Sequence, residues 1–180
     1  LDVKTFRDNL FQMSTRRFGT VMEILVQRLT QSQHSYTIFH DLDTGDGTRV
    51  EVKFSRVERK HFRKVDRSNV LEVIATEGLS VRLFPFGEWV YHNFDSNIQQ
   101  IKKPEFDVLV YGLLFADRIV VFWATPEQIN SDMRYSNRQH KGNVGEGQFH
   151  INPRTLPHHL ENHLFAILSY QDAYDLLASP

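Results

Sequence analysis

The stretch Tyr36-Thr37-Ile38-Phe39-His40-Asp41-Leu42-Asp43-Thr44-Gly45-Asp46-Gly47-Thr48-Arg49-Val50-Glu51-Val52-Lys53-Phe54-Ser55 decides how this chain is read. Two alternating apolar runs, Tyr36 to Leu42 and Val50 to Phe54, flank a cluster of Asp, Thr and Gly, a pattern that predicts a β-hairpin. Strand side chains alternate with a period of two, so Val50, Val52 and Phe54 share one face and Glu51 and Lys53 the other. A three-residue loop, Gly45-Asp46-Gly47, with Gly47 at positive φ, pairs Thr44 with Thr48 and Asp43 with Arg49. By that register Asp41 lies opposite Glu51.

Two carboxylates and an ammonium therefore crowd one face of the hairpin. Like charges across a sheet cost free energy, and a bound cation offsets that cost. Carboxylate oxygens with few other donors suit Mg²⁺, which keeps several waters and shares a phosphate with its substrate. The outline is that of a hydrolytic phosphodiesterase site.

Asp41, nine residues, then Glu51-Val52-Lys53 resembles the signature of the PD-(D/E)XK nuclease superfamily, and most of all its type II restriction endonucleases. The resemblance implies an α/β fold in which a mixed central sheet flanked by helices forms a restriction-endonuclease-like core. It implies Asp41, Glu51 and Lys53 as catalytic residues, with Asp41, Glu51 and the Val52 carbonyl as Mg²⁺ ligands. The Gly19-Thr20-Val21-Met22-Glu23 stretch is similar to the family's first core helix, which makes Glu23 a further metal candidate. Asp107 to Phe115 and Arg118 to Thr125, near-continuous apolar runs of strand length, look like the two core strands after the Glu-x-Lys strand, and Pro126-Glu127 opens a helical turn. The similarity covers most of residues 16–129.

Composition bounds the rest. With 180 residues and 41% hydrophobic content, the chain suits one domain: a core at about 15–129, a loop at 130–148 and a helical tail at 155–178. No cysteine is present, which excludes disulfides, thiolate metal sites and cysteine nucleophiles, and fits a cytoplasmic setting. Neither a signal-peptide pattern nor a membrane-length apolar run occurs. Net charge is −1, so bulk electrostatics announce no nucleic-acid partner. The distribution does: Arg49, Lys53, Arg56, Arg59, Lys60, Arg63, Lys64 and Arg67 follow the motif closely and read as phosphate-backbone contacts.

Upstream, Val3 to Met13 fits a helix, with Ser14 or Thr15 capping the next. Phe18, Val21, Met22, Leu25, Val26 and Leu29 form the stripe of a helix from Thr15 to Thr30. Downstream, Ser68 to Glu77 reads as a short helix with Val70, Leu71, Val73 and Ile74 as its apolar side. Leu79 to Phe94, broken by Pro85 and Gly87, reads as an irregular hairpin or insertion. Asn97, Gln99 and Gln100 before Lys102 and Lys103 form a polar segment that reads either as a DNA contact or, the favoured reading, as an ordinary connection. Residues 130–148 are poor in core formers and rich in Arg134, Arg138, Gln139, His140, Lys141 and Asn143, side chains that pair with base edges, so this long loop is the candidate for sequence reading. Phe149 and Ile151 suggest an edge strand, and helices follow around Leu156 to Leu168 and Gln171 to Leu177.

Other constellations weigh less. His158, His159 and His163 lack the ligand number zinc needs, and Leu160, Leu164 and Leu168 put the histidines on the exposed side of an amphipathic helix. Asp43 and Asp46 lack EF-hand spacing; turn chemistry explains them, with Arg49 answering Asp43. No phosphate-binding loop or serine elbow is present, so no nucleotide cofactor is expected. The expectation is a Mg²⁺-dependent, site-specific endonuclease of a restriction-modification system, acting on double-stranded DNA as a homodimer. A structure-selective or repair nuclease of the same superfamily, and a non-catalytic nucleic-acid-binding module, stand as alternatives.

Overall fold

The computed structural model describes residues 1–60, 64–138 and 144–179. Two helices lead, α1 (Val3–Gln12) and α2 (Thr15–Thr30), followed by β1 (Gln33–His34), β2 (Leu42–Asp43) and β3 (Arg49–Arg56). Short α3 (Val70–Thr76), α4 (Leu79–Arg82) and a 3-10 helix (Phe86–Tyr91) precede β4 (Ser96–Ile101), β5 (Val108–Leu114) and β6 (Arg118–Ala124). The chain closes with β7 (Ser136–Arg138), β8 (Val144–Ile151), α5 (Leu156–Asn162), β9 (Leu164–Ser169) and α6 (Tyr170–Ala178). Six strands form the main sheet in the order β1-β2-β3-β5-β6-β9; β3 and β5 run parallel and the other neighbours antiparallel. A mixed central sheet flanked by helices is thus the architecture.

Both faces of this sheet are covered, as the apolar runs of β5 and β6 require. Phe6, Leu10, Phe18, Met22, Leu25 and Val26 from α1 and α2 pack with Val50, Val52, Val110, Leu114, Ile119 and Val121. On the opposite face Leu109, Tyr111, Leu113, Val120, Phe122 and Ala124 meet Phe84, Phe94, Ile98, Ile101, Phe149, Ile151 and Leu156. The second layer is supplied largely by a small sheet of order β4-β8-β7. Among the described residues, no helix is long and apolar enough to cross a membrane.

The hairpin loop follows its sequence. Gly47 has φ +85°, Gly47 N–H donates to the Thr44 carbonyl at 3.0 Å, Thr44 N–H donates to the Thr48 carbonyl at 3.1 Å, and Asp43 pairs with Arg49 in register. Its first strand is shorter than expected. Residues 36–39 bend out of the sheet, leaving Tyr36 99% and Ile38 93% exposed. The cause is local hydrogen bonding by polar side chains: Ser35 Oγ lies 3.0 Å from His40 Nε2, and Thr37 Oγ1 accepts the Phe39 N–H at 3.3 Å, which competes with a ladder.

Other segments differ from their sequence reading. Leu79 to Phe94 forms α4 and the 3-10 helix instead of a hairpin: Pro85, at φ −65°, precedes a turn in which Glu88 N–H donates to the Pro85 carbonyl at 3.0 Å. The expected loop 130–148 holds β7 and the start of β8, and β8 is the centre of its sheet, so Phe149 and Ile151 are buried there and do not mark an edge. Gly145 and Gly147 are strand glycines: a Cβ on Gly147 would come within 2.0 Å of the Tyr135 hydroxyl. Asn97 to Gln100 belong to β4 and are no mere connection. Pro126-Glu127 does open a helical turn, with Ile129 N–H donating to the Thr125 carbonyl at 3.2 Å, but the turn does not continue into a helix. The tail helix stops at Asn162; Leu164 to Leu168 pair with β6 as β9, because a short apolar run satisfies either period. α3 forms, but Leu71 and Ile74 face outward.

The histidines are also placed otherwise than expected. His159 and His163 are buried, and His159 Nδ1 lies 2.8 Å from the Tyr111 hydroxyl. Burial, with His163 and His158 nearby, pulls His159 down to about 3, so this imidazole is neutral core.

Candidate active-site cleft

The face of β3 opposite α2 carries the site. Glu51 and Lys53 project away from the α2 side, in register with Leu109 and Tyr111 of β5, while Val50 and Val52 are buried beneath α2. Asp41 sits just before β2. Its backbone N–H donates to the Val50 carbonyl at 3.0 Å, and its side-chain Oδ2 accepts the Val52 N–H at 2.8 Å. Asp41 is thus held across from Glu51, as the loop geometry implied.

Lys53 Nζ donates to Glu51 Oε1 and lies 3.9 Å from Asp41 Oδ2. All three side chains are mostly buried. Burial pushes the Glu51 carboxyl above the usual glutamate range; Lys53 opposes the shift, and Asp41 and Glu105 add to it. Glu23, on α2, feels the charges of Asp41 and Lys53. Its carboxyl is raised by burial first and by Asp41 second, with Lys53 and His34 pulling the other way. Glu23 therefore lies within electrostatic range of Asp41 and Lys53, and the structure brings together Asp41, Glu51 and Lys53.

A polar cleft of about 210 Å³ opens over these residues. One wall is Ile38, Phe39 and His40; the other is Gln100, Lys102, Glu105 and Glu146 from β4, β8 and the turn before β5. Lys102 Nζ lies 3.6 Å from Glu105 and 4.0 Å from Glu146. Sequence reasoning missed this wall. Among the described residues no set of three or more His, Asp and Glu side chains converges on one metal position. The donor chemistry nevertheless fits a hard cation: two mostly buried carboxylates, one of them pushed toward its neutral form, share a single ammonium in a polar cleft, which leaves negative charge for a cation whose shell water would complete.

The basic run is placed less uniformly. Arg49 does not answer Asp43. Its guanidinium grips Asp107, at 3.1 Å from Nε and 2.8 Å from Nη2, and holds that carboxyl down at about 2, while Asp43 pairs with His40 at 2.7 Å. The reason is geometric: β5 runs parallel beside β3 and sets Asp107 in the fork of Arg49, and Asp43 turns to the bent segment. Arg56 is committed inward, donating to the Met13 carbonyl at 2.7 Å with its guanidinium 4.2 Å over the Phe18 ring. Arg59 anchors its backbone N–H on the Arg82 carbonyl at 2.8 Å. Lys60 lies 3.7 Å from Asp95 and shares a cleft of about 280 Å³ with Arg134 and Arg154. Lys64 and Arg138 are exposed. Arg63, Gln139, His140, Lys141 and Asn143 lie outside the described residues.

No family model matches the chain, and no curated protein matches it.

Proposed function

We propose that the chain is a Mg²⁺-dependent, site-specific DNA endonuclease of the PD-(D/E)XK type, hydrolysing phosphodiester bonds in double-stranded DNA. The observation that carries this reading is the convergence of Asp41, Glu51 and Lys53 on one polar cleft, with Lys53 set between the two carboxylates. Asp41 and Glu51 would hold the ion, with the Val52 carbonyl as a further ligand by family resemblance and Glu23 available to a second ion. Bound there, Mg²⁺ supplies positive charge to the phosphate and to the leaving oxygen.

The chain's own residues do the remainder. Asp41 is held by the Val52 N–H through one oxygen, which leaves the other for the cleft. Lys53 is an N–H donor to whatever enters between the carboxylates, and it orients the attacking water and steadies charge on the phosphate. The water oxygen forms the new bond to phosphorus and gives up a proton to solvent, the bond to the leaving oxygen breaks, and that oxygen takes up a proton from solvent, so that no net proton is consumed. Lys60, Arg134 and Arg154 form a basic cleft suited to the backbone. Cutting both strands of a short palindrome requires two such sites on a two-fold axis, hence a homodimer, and a role in cytoplasmic restriction-modification follows.

The test is incubation of supercoiled plasmid and phage DNA with the protein in Mg²⁺ and then in EDTA. Discrete fragments in Mg²⁺ alone support the reading; a smear indicates a nonspecific or structure-selective nuclease; unchanged DNA with retained binding indicates a binding module.

A further inference from the structure

One residue of the cleft is out of keeping with its strand. Along β4, Ser96, Ile98 and Ile101 are buried. Alternation from Ile98 would bury Gln100 and expose Ile101, the reverse of what is found. The β4–β8 register slips between Gln99, opposite Gln148, and Ile101, opposite Gly147. A bulge inserts one residue there, and Gln100 is that residue.

Gln100 has φ +61°, a left-handed conformation that glycine adopts without a side-chain penalty. No contact among the described residues repays a glutamine at this point. Its side chain is exposed and its amide makes no hydrogen bond among the described residues. What the bulge achieves is direction: the extra side chain lines the cleft wall that faces Asp41, Glu51 and Lys53. The neighbouring strand accepts the kink through Gly147, which is closed over by the Tyr135 ring.

A glutamine amide carries a donor and an acceptor side by side, the pattern that matches N7 and the N6 amino group of adenine on its major-groove edge. Resting on the endonuclease reading above, we infer that Gln100 reads a base, adenine by preference, in the nucleotide pair beside the scissile phosphate. Recognition then comes in part from the small sheet inside the catalytic cleft.

The experiment digests a plasmid library carrying randomised inserts in Mg²⁺ with wild type, Gln100→Gly and Gln100→Glu, and sequences the ends. Thermal unfolding of each variant confirms folding; Gln100→Gly suits the left-handed backbone and is expected to melt no lower than wild type. Gln100→Gly should cut the wild-type site about 10–100-fold more slowly and lose preference at one position next to the break. Gln100→Glu should shift that position from adenine towards cytosine, whose amino group donates to a carboxylate. A merely structural glutamine would not move the base identity. If wild type cuts and both variants return its end sequences at its rate, the inference on Gln100 is overturned and the endonuclease reading stands. If wild type cuts nothing, both fall.

Discussion

The carboxylate of Asp41 accepts the backbone N–H of Val52 at 2.8 Å, so a side chain caps the β3 ladder at the point where β2 has ended. Asp41 is therefore both a site residue and a piece of the sheet. From the sequence, removing it should only relieve repulsion against Glu51, leaving the metal-free protein no less stable. The hydrogen bond changes that expectation. Losing a charged acceptor costs about 1.5–3 kcal/mol, and relief of a cross-strand repulsion returns no more than about 1 kcal/mol. Asp41→Ala should thus destabilise by about 1–2 kcal/mol in urea unfolding with EDTA present, whereas Asp41→Asn, which keeps the acceptor, should stay near wild type. Both should abolish Mg²⁺-dependent cleavage. An Asp41→Ala protein as stable as wild type would show that the Val52 N–H finds another partner.

Lys53 is the ammonium that neutralises Glu51 and approaches Asp41. Lys53→Met keeps the aliphatic stem and removes the charge. Single-turnover cleavage should fall by roughly 10²–10⁴-fold, the range for a proton-transfer or charge-stabilising group, while DNA binding in Mg²⁺ holds. The Glu51 carboxyl should titrate higher still, which carbon-detected NMR of labelled glutamate would register. Wild-type rates in Lys53→Met would remove Lys53 from the chemistry.

Glu51 and Glu23 are both raised above the ordinary value of 4.5 by burial. In the window between 4.5 and their folded values the native state binds more protons than the unfolded chain, so metal-free stability should fall as pH rises through that window. His159 acts in the opposite sense. Held near 3 against an unfolded value of 6.5, it makes stability climb with pH between those values. Thermal melts from pH 4 to 8 of wild type, Glu51→Gln and His159→Gln separate the two. The Glu51→Gln variant should show a shallower fall, with the Glu23 share remaining, and Mg²⁺ should shrink it in wild type by binding the ionised carboxylates. An unchanged profile in Glu51→Gln would mean that its carboxyl is not desolvated.

Gly112 stands beside Phe54 in the parallel β3–β5 register, and a Cβ there would meet the Phe54 ring at 2.1 Å. The ring covers the sheet where no side chain stands. Gly112→Ala should cost about 1–3 kcal/mol by overpacking, seen as a lowered Tm, and the loss should be smaller in a Phe54→Leu background. Equal losses in both backgrounds would show that the ring moves away freely.

The reach of the sequence follows the range of the forces involved. Asp41, Glu51 and Lys53 were legible because a period of two and a three-residue loop with Gly47 are local rules, and they set the register within a dozen residues. α2 was legible from Phe18 to Leu29 for the same reason. Gln100, Lys102 and Glu146 were not, since they reach the cleft only through the pairing of β4 with β8, and nothing in Asn97-Ile98-Gln99-Gln100 announces a bulge. The histidines misled because Leu160, Leu164 and Leu168 satisfy a helical period while the chain turns into β9 after His163. Arg49 chose Asp107 over Asp43 because the partner came from β5, far along the chain.

The Arg49–Asp107 clasp joins residues 58 apart in sequence at the start of the parallel β3–β5 ladder. Its consequence concerns how the molecule comes to exist. The hairpin bearing Asp41, Glu51 and Lys53 closes over a few residues and can form within microseconds, whereas the parallel ladder must close a long segment before any of its contacts stabilise it. The acidic face is thus assembled early, ahead of the sheet that buries it. Docking β5 against β3 is therefore the expected slow step of folding, and φ-values from Arg49→Ala and Asp107→Ala test it by showing whether the clasp is made before or after the barrier.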